Sequence, residues 1–488
     1  MSPPAPRRWI EACLLGLAVT AVGAKLWHCL CVFPAHGWNE IRLIPSFMLA
    51  HGVSPYPPAG SGPATTWIYG PLPLGLFLPA VLARDAAGAL LIAGIVNAAI
   101  IVMAVVAVCA WLPAPQREGN RAGRWVAALV CVALWPVTNL TIMQADNAAV
   151  AFGLISLLCL AKSDATGNRW LAAASCTAAL ACKQTLVGLV LAQCVFLFVR
   201  DGIRAAFEQG LRIAVLCAAG LALAIYVFGA GELWYHLIVL PAKLPWADSL
   251  VGRVAEFWPY LLLHAVLPLG GIVLLGRRAW RRDSPWLLPA LAWATAWPLD
   301  LIALLKTGGS INALHGGLFF LPFAATILAT QFKAPAAWWA ALVSLTLGVL
   351  AFRLVPAAPG RWHPQLDHLH QGEFLARKLP GEIYFPWHPL ITYYAEKRFD
   401  HVEDGLFINY LAGQPVVGAA VAGYLPPQLH IVAFRKNEMD WGIARTLIPP
   451  RSQVSDFGAW TLYSWPPGPA ASAAPPPPPL TSPAAPRD

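Results

Sequence analysis

Charged side chains are scarce in this sequence. Only 12% of its 488 residues are Asp, Glu, Lys or Arg, about half of the ~25% found in typical soluble domains. Hydrophobic residues make up 58% of the chain, and the mean hydropathy is +0.59. Because so few charges cannot cover the surface of a soluble protein of this length, the composition predicts a polytopic α-helical membrane protein.

Two further absences narrow the function. The ten cysteines form no C-x-x-C pair and no His/Cys spacing typical of zinc sites, so we expect small apolar packing residues rather than a metal or redox centre. The net charge of +9 is dispersed, and no basic run is interleaved with aromatic residues. Nucleic acid is therefore not expected as a partner. The excess of Lys and Arg instead fits cytoplasmic loops.

Apolar segments that approach the ~30 Å thickness of the hydrocarbon core recur through the first 356 residues. They predict about eleven transmembrane helices, at 9–33, 89–112, 125–142, 147–161, 169–183, 185–199, 212–230, 257–276, 286–305, 316–330 and 335–356. The segment 69–83 is short and contains Pro71, Pro73 and Pro79. We interpret it as a juxtamembrane or re-entrant piece that does not cross the membrane.

The basic residues predict the orientation. With a cytoplasmic N-terminus, fifteen Lys and Arg residues lie on the inner side and seven on the outer side, the asymmetry expected of membrane proteins. This orientation brings Glu40, Asp146, Lys183, Lys306 and Asn312 to the outer face. We therefore expect a multi-pass protein of the plasma (inner) membrane, with its site on the outer, periplasmic side.

The composition changes near residue 356. Residues 361–464 mix charged residues with short β-like runs such as "GEIYFPW", "LHIVAFR" and "AWTLYSW", and they predict a small α/β domain on the outer face. Residues 1–360 then form the transmembrane domain, whose outer loop carries juxtamembrane elements at 34–88. The Pro/Ala-rich tail, 465–488, is expected to be disordered or polyproline-like.

An acidic residue follows the first predicted span, in "WNEIRLIPSFMLAHGVSPYP", and "WIYGPLPLGLFLPA" comes shortly afterwards. A carboxylate at this position can reach water while it lies close to a lipid-borne substrate, which suits a general base. Glu40 could equally solvate a loop or pair with Arg42. The residue by itself does not separate these alternatives.

The two stretches together resemble the first outer loop of the GT-C superfamily of glycosyltransferases, which includes the aminoarabinose transferases and the protein O-mannosyltransferases. That loop has an acidic pair after the first span, a helix ending in small residue–Gly–x–x–Pro–Tyr, and a Tyr-x-Pro-Leu return to the membrane. The matching positions are Glu40, Gly52, Pro55, Tyr56, Tyr69, Pro71 and Leu72. Asn39 departs from the pattern, because the family often has a catalytic acid at this first position.

Three later stretches resemble segments that follow the first outer loop, in the same order, in this superfamily. They are "TIMQADNAAVAFGLISLLCLA", "AALACKQTLVGLVLA" and "LLKTGGSINALHGGLFFLPFAATI". The residues that they match are Asp146, Lys183, Lys306, Gly309, Ser310 and Asn312, with His315 near the family's aromatic position.

The resemblance implies a glycosyltransferase that moves a sugar from a polyprenyl-phosphate donor to a cell-envelope acceptor by an inverting displacement. Glu40 would be the general base. The implied donor-binding residues are Lys183, Lys306, Ser310, Asn312 and Tyr69, with the lysines stabilising the leaving phosphate. Asp146 would orient the donor or bind a divalent metal. Since some relatives use a metal and others do not, the cofactor is unknown.

Other interpretations stay open at this stage. Lys183 and Lys306 could snorkel to lipid head groups, and Lys25, inside the first span, is expected to do so. Asp300 could make a structural hydrogen bond or belong to the site. The aromatic loop 231–256 could contact substrate or form an interfacial belt. The functional alternatives are a transporter or lipid-binding membrane protein, or an inactive scaffold on the same fold, which Asn39 suggests.

Overall fold

The structure, a computed structural model, describes residues 5–32, 37–58, 62–65, 67–113, 121–136, 139–140, 142–162, 166–331, 366–414, 416, 423–436 and 442–467. The span predicted at 335–356 and most of the Pro/Ala-rich tail lie outside these ranges. The predicted domain boundaries stay predictions.

Helices dominate the first 331 residues. Their bounds are α1 Ala5–Val32, α2 Gly37–Ala50, α3 Leu72–Leu76, α4 Ala86–Trp111, α5 Arg121–Leu134, α6 Ala145–Ala161, α7 Thr166–Cys182, α8 Val187–Asp201, α9 Ile203–Phe228, α10 Ala230–Trp234, α11 Leu240–Lys243, α12 Leu250–Leu261, α13 Leu267–Leu275, α14 Leu287–Leu304 and α15 Gly316–Gln331. Short 3-10 helices lie at Leu78–Leu82, Gln184–Leu186, Gly276–Arg278 and Ile311–Ala313. Two π-helical turns lie at Tyr235–Val239 and Leu262–Val266.

Several of these helices can span a membrane. Four are long and apolar enough by length and composition: Ala86–Trp111, Gln184–Asp201, Ile203–Phe228 and Leu287–Leu304. Shorter apolar helices lie at Gly16–Leu30, Leu72–Leu82, Gly123–Leu134, Ala145–Ala161 and Gly316–Thr330. These helices fit the predicted multi-pass helical membrane protein, while the count of eleven spans stays a prediction.

The segment 69–83 contains only α3 and the 3-10 helix that follows it. At ~1.5–2 Å per residue, the two five-residue helices and the one residue between them reach ~22 Å at most, less than the ~30 Å of a bilayer core. The segment begins against the end of α7, where the Gly70 N–H donates to the Cys182 carbonyl at 3.1 Å. A Cβ at Gly70 would lie 2.0 Å from the Ala181 carbonyl oxygen, so this approach requires glycine.

Lys25 corrects one expectation from the sequence. It does not snorkel: the residue is 4% exposed, and its ammonium donates to the carbonyls of Val132, Ala133 and Trp135 at 3.2, 2.6 and 2.7 Å. Carbonyls at the end of a helix have no intrahelical donor. Lys25 therefore caps the C-terminal end of α5 within the bundle.

The C-terminal region combines helices with a small mixed sheet. The helices are α16 Asp367–Lys378, α17 Pro389–Glu396, α18 Glu403–Leu411 and α19 Ile443–Thr446, and the strands are β1 Ile383–Tyr384, β2 Ile431–Arg435, β3 Gln453–Phe457 and β4 Trp460–Ser464. The strand order is β1-β2-β4-β3, with β1 parallel to β2 and the other pairs antiparallel. β1, β2 and β4 lie in the three runs that the sequence analysis identified as β-like.

Specific hydrogen bonds hold this region against the membrane part. Glu373 of α16 accepts from the Ala86 N–H at 3.0 Å, and so caps the start of α4. The Tyr394 hydroxyl donates to the Ala83 carbonyl at 3.1 Å. The Ala64 N–H donates to His401 Nδ1 at 2.7 Å. These contacts fix the outer loop between the helical bundle and the C-terminal region.

Candidate active site

A buried group of polar side chains joins helices that are distant in sequence. Asp146 lies in the first turn of α6, Lys183 follows α7, and Asp300 lies near the end of α14. Asn312 and His315 come from the turn between α14 and α15. We call these five residues the charged network.

Asp146 is the centre of the charged network, and it is 0% exposed. Its carboxylate forms an ion pair with the Lys183 ammonium. It also contacts His315 Nε2 at 2.8 Å and accepts from Asn312 Nδ2 at 3.2 Å. The α6 N-terminus adds a favourable dipole. Asp146 thus has three side-chain partners, and the roles predicted for it, donor orientation or metal binding, stay predictions.

His315 connects Asp146 to a second carboxylate. Its Nδ1 lies 2.9 Å from Asp300 Oδ1. The other oxygen of Asp300 accepts from the backbone N–H groups of His315 and Gly316, both at 2.8 Å. Asp300 therefore caps the start of α15 and orients the imidazole toward Asp146. A structural hydrogen bond, one of the two expected roles, accounts for Asp300.

Tyr69 lies beside the charged network and contacts two cations. The Lys183 ammonium is 5.8 Å from the centroid of its ring, and the Arg42 guanidinium carbon is 5.2 Å away. Both distances suit cation–π contacts. Arg42 also lies 3.7 Å from the carboxylate of Asp404 in the C-terminal region. We call Arg42 and Lys183 the cation pair.

Arg42 was expected only as a partner for Glu40, and its place beside Tyr69 was missed. Residues two apart in a helix point in different directions, since each residue turns the helix by about 100°. The helical phase was therefore a signal that could have separated Arg42 from Glu40. It could not have identified Asp404 or Tyr69 as the neighbours of Arg42.

Glu40 faces the C-terminal region and is 1% exposed. Its Oε1 lies 2.6 Å from His388 Nδ1, and its Oε2 accepts from the Leu390 N–H at 3.2 Å. Asn39 takes another direction and accepts from the Met143 N–H at 2.9 Å, next to α6. The contact with His388 had no signal in the sequence because 348 residues separate the two side chains.

Within the described part of the chain, Lys306 and Ser310 make no hydrogen bond or ion pair with the charged network, although their motif also contains Asn312. The Lys306 ammonium donates to the carbonyls of Pro241 and Ala242, both at 3.1 Å, and lies 5.5 Å from the Trp246 ring centroid. It thus holds the loop that follows α11. Ser310 is half-buried just before the turn that carries Asn312.

The aromatic and histidine side chains of the loop 231–256 fall into two groups, one in contact with other segments and one exposed. His236 is buried and lies 2.8 Å from the Pro57 carbonyl, and the Tyr235 hydroxyl donates to Asn409 of α18 at 3.2 Å. Trp234 and Trp246 are 62% and 55% exposed. His236 and Tyr235 therefore fasten this loop to the segment around Pro57 and to α18, and the two tryptophans are exposed.

Comparison with known proteins identifies the fold. No family profile matches the chain, and no curated protein matches it by sequence. Its structure is similar to that of ArnT from Cupriavidus metallidurans bound to undecaprenyl phosphate, with a TM-score of 0.54 and 12% identity over 94% of this chain and 98% of that chain. The structure of the same ArnT in the apo state gives a TM-score of 0.49 and 13% identity, again over 94% of this chain and 98% of that chain. The undecaprenyl-phosphate-bound structure confirms the predicted resemblance at the level of the fold.

The Asp146–Lys183 ion pair yields a stability prediction. Lys183→Met should lower the free energy of unfolding by about 3–5 kcal/mol, because it leaves a buried carboxylate without its cation. Asp146→Asn should also destabilise the protein, and the double variant should lose less than the sum of the two single losses. Thermal unfolding in detergent measures all three.

The exposed Lys243 provides the matched control, and Lys243→Met should leave unfolding unchanged within ~0.5 kcal/mol. Strict additivity of the two single losses would contradict the assigned coupling.

Proposed function

We propose that this protein is an integral-membrane glycosyltransferase that takes a sugar from a polyprenyl-phosphate donor. The cation pair beside Tyr69, next to a buried charged network, is the observation that carries the proposal. The fold supports the class, because the similar ArnT structure was solved with undecaprenyl phosphate bound. The acceptor belongs to the cell envelope.

Electrostatics favour the cation pair as the site of the donor phosphate. Loss of the sugar leaves extra negative charge on the phosphate, and fixed cations in a site shielded from water stabilise that charge strongly. Arg42 is 8% exposed and Lys183 is 7% exposed. The guanidinium of Arg42 can bind two phosphate oxygens at once, while Lys183 supplies a compact charge.

Each member of the cation pair also has a carboxylate nearby. Lys183 forms an ion pair with Asp146, and Arg42 lies 3.7 Å from Asp404. Because both cations contact the Tyr69 ring, a phosphate bound beside that ring would lie close to both of them.

The proposal puts the site on the outer, periplasmic side of the plasma membrane. The support is the charge asymmetry, with fifteen basic residues on the opposite side and seven on this one. The hydrogen bonds between the outer loop and the C-terminal region support the proposal that this region lies on the same side.

Glu40 remains the sequence-derived prediction for the general base of an inverting displacement. Its carboxylate would have to exchange its contacts with His388 and Leu390 for the acceptor hydroxyl. Catalytic hydrogen bonds often form only once substrates are bound, so these contacts do not exclude the role.

A second candidate function is a lipid-phosphate-binding scaffold without catalysis. Two observations favour it: both oxygens of Glu40 already have partners, and Asn39 stands where the GT-C pattern often has an acid. Such a scaffold would use the same cation pair for binding. Sugar transfer alone separates the two candidates.

Donor binding tests the cation pair. Lys183→Met should weaken the affinity for undecaprenyl phosphate at least about tenfold, equivalent to ~1.4 kcal/mol, because the buried cation is lost. Lys183→Arg should retain more of the affinity, since it keeps the charge. The measurement is a lipid titration of the protein in nanodiscs.

Lys306→Met is the matched control for this titration, because its ammonium contacts loop carbonyls. It should bind the lipid as the parent does. A larger loss in Lys306→Met than in Lys183→Met would contradict the assignment.

Glu40→Gln tests catalysis. If Glu40 is the base, this nearly isosteric change should slow sugar transfer by about 10²–10⁴-fold and leave lipid affinity unchanged, since only proton removal is lost. The assay follows label from a polyprenyl-phosphate-linked sugar into membrane acceptors. Transfer at the parental rate would eliminate the base role, and an inactive parent would favour the scaffold.

A further inference from the structure

Three side chains that can ligate a metal meet where α2 contacts the C-terminal region. Glu40, His368 and His388 each offer one ligand atom, and these atoms lie within 4.8 Å of one another. The residues are 1%, 3% and 1% exposed. They come from α2, from α16 and from the position just before α17.

We propose that Glu40, His368 and His388 bind one divalent transition-metal ion that fastens α2 to the C-terminal region. Two imidazoles and one carboxylate form a set that suits Zn²⁺, which accepts nitrogen and oxygen ligands with an open fourth position. Mg²⁺ and Ca²⁺ prefer oxygen ligands, so the two histidines disfavour them.

The geometry is close to what Zn²⁺ requires. Bonds of ~2.0–2.2 Å in a tetrahedral site put ligand atoms ~3.4 Å apart. Glu40 Oε1 and His388 Nδ1 are 2.6 Å apart, so they would separate by about 0.8 Å, while the widest pair, within 4.8 Å, would close by at most about 1.4 Å. Small side-chain rotations achieve both changes.

The surroundings already orient two of these ligands. The Leu390 N–H donates to the second oxygen of Glu40 at 3.2 Å, the kind of outer contact that holds a metal ligand in place. The Trp460 ring meets the His388 ring edge-on at 5.0 Å, and the Trp460 indole N–H donates to the backbone carbonyl of His368 at 2.9 Å. Trp460 therefore packs beside both histidines.

A different account of the same contacts is a buried ion pair between Glu40 and protonated His388. That pair would satisfy Glu40 without an ion, and it would not need the imidazole of His368 as a ligand. The His368 side chain therefore separates the two accounts. With one oxygen of Glu40 on the ion and the other on the Leu390 N–H, an acceptor hydroxyl would have to displace one of these contacts, as the general-base prediction already requires.

The test is the metal content of the full chain, purified in detergent through a tag that needs no metal column. Elemental analysis should find about one transition-metal ion per chain. His368→Ala should lose it, whereas His370→Ala, an exposed position on the same helix, should retain it. After chelation, the affinity for added Zn²⁺ should fall by more than about 100-fold in His368→Ala, since losing an outer-shell partner already costs 10–100-fold.

A second measurement covers the case in which His368→Ala does not fold. The chelated parent should take up one equivalent of Co²⁺ with the visible absorption of a four-coordinate ion, and Zn²⁺ but not Mg²⁺ should raise its melting temperature. A parent that holds no metal and takes up neither ion overturns the proposal in favour of the ion pair. Equal metal content in His368→Ala and the parent also overturns it. Lipid affinity, measured separately, reports on the proposed function.

Discussion

The buried ion pair between Asp146 and Lys183 is the contact on which this end of the helical bundle depends. An isolated charge at this depth costs several kcal/mol, so each member requires the other. The pair joins α6 to the end of α7, and His315 extends it to Asp300, which caps α15. Four helices are thus held in one arrangement, and Tyr69 and Arg42 lie directly beside it.

Hydropathy and the order of the segments along the chain predicted which helices form and which residues lie on the same side of the membrane. Hydropathy located the apolar helices, because a span must be apolar along its length. Counting spans then predicted that Asp146, Lys183 and Asn312 lie on the same side of the membrane, and the structure brings those three together. Three strands of the C-terminal region could also be predicted, because the residues that favour a strand lie within the strand itself.

Contacts that depend on rotation and on long-range packing were not predictable. Lys25 was expected at the membrane surface, but it turns inward to the last carbonyls of α5. Lys306 belongs to a matching motif, yet the turn directs its ammonium to a neighbouring loop. Glu40 and His388 meet only because the chain returns after 348 residues, and no local pattern encodes such a return.

The most direct test of the account is a structure of the protein with undecaprenyl phosphate bound. The account predicts the phosphate beside Tyr69, within hydrogen-bond distance of Arg42 or Lys183, with the lipid chain leading into the membrane. A phosphate bound at Lys306, or one with neither cation as a partner, would contradict it.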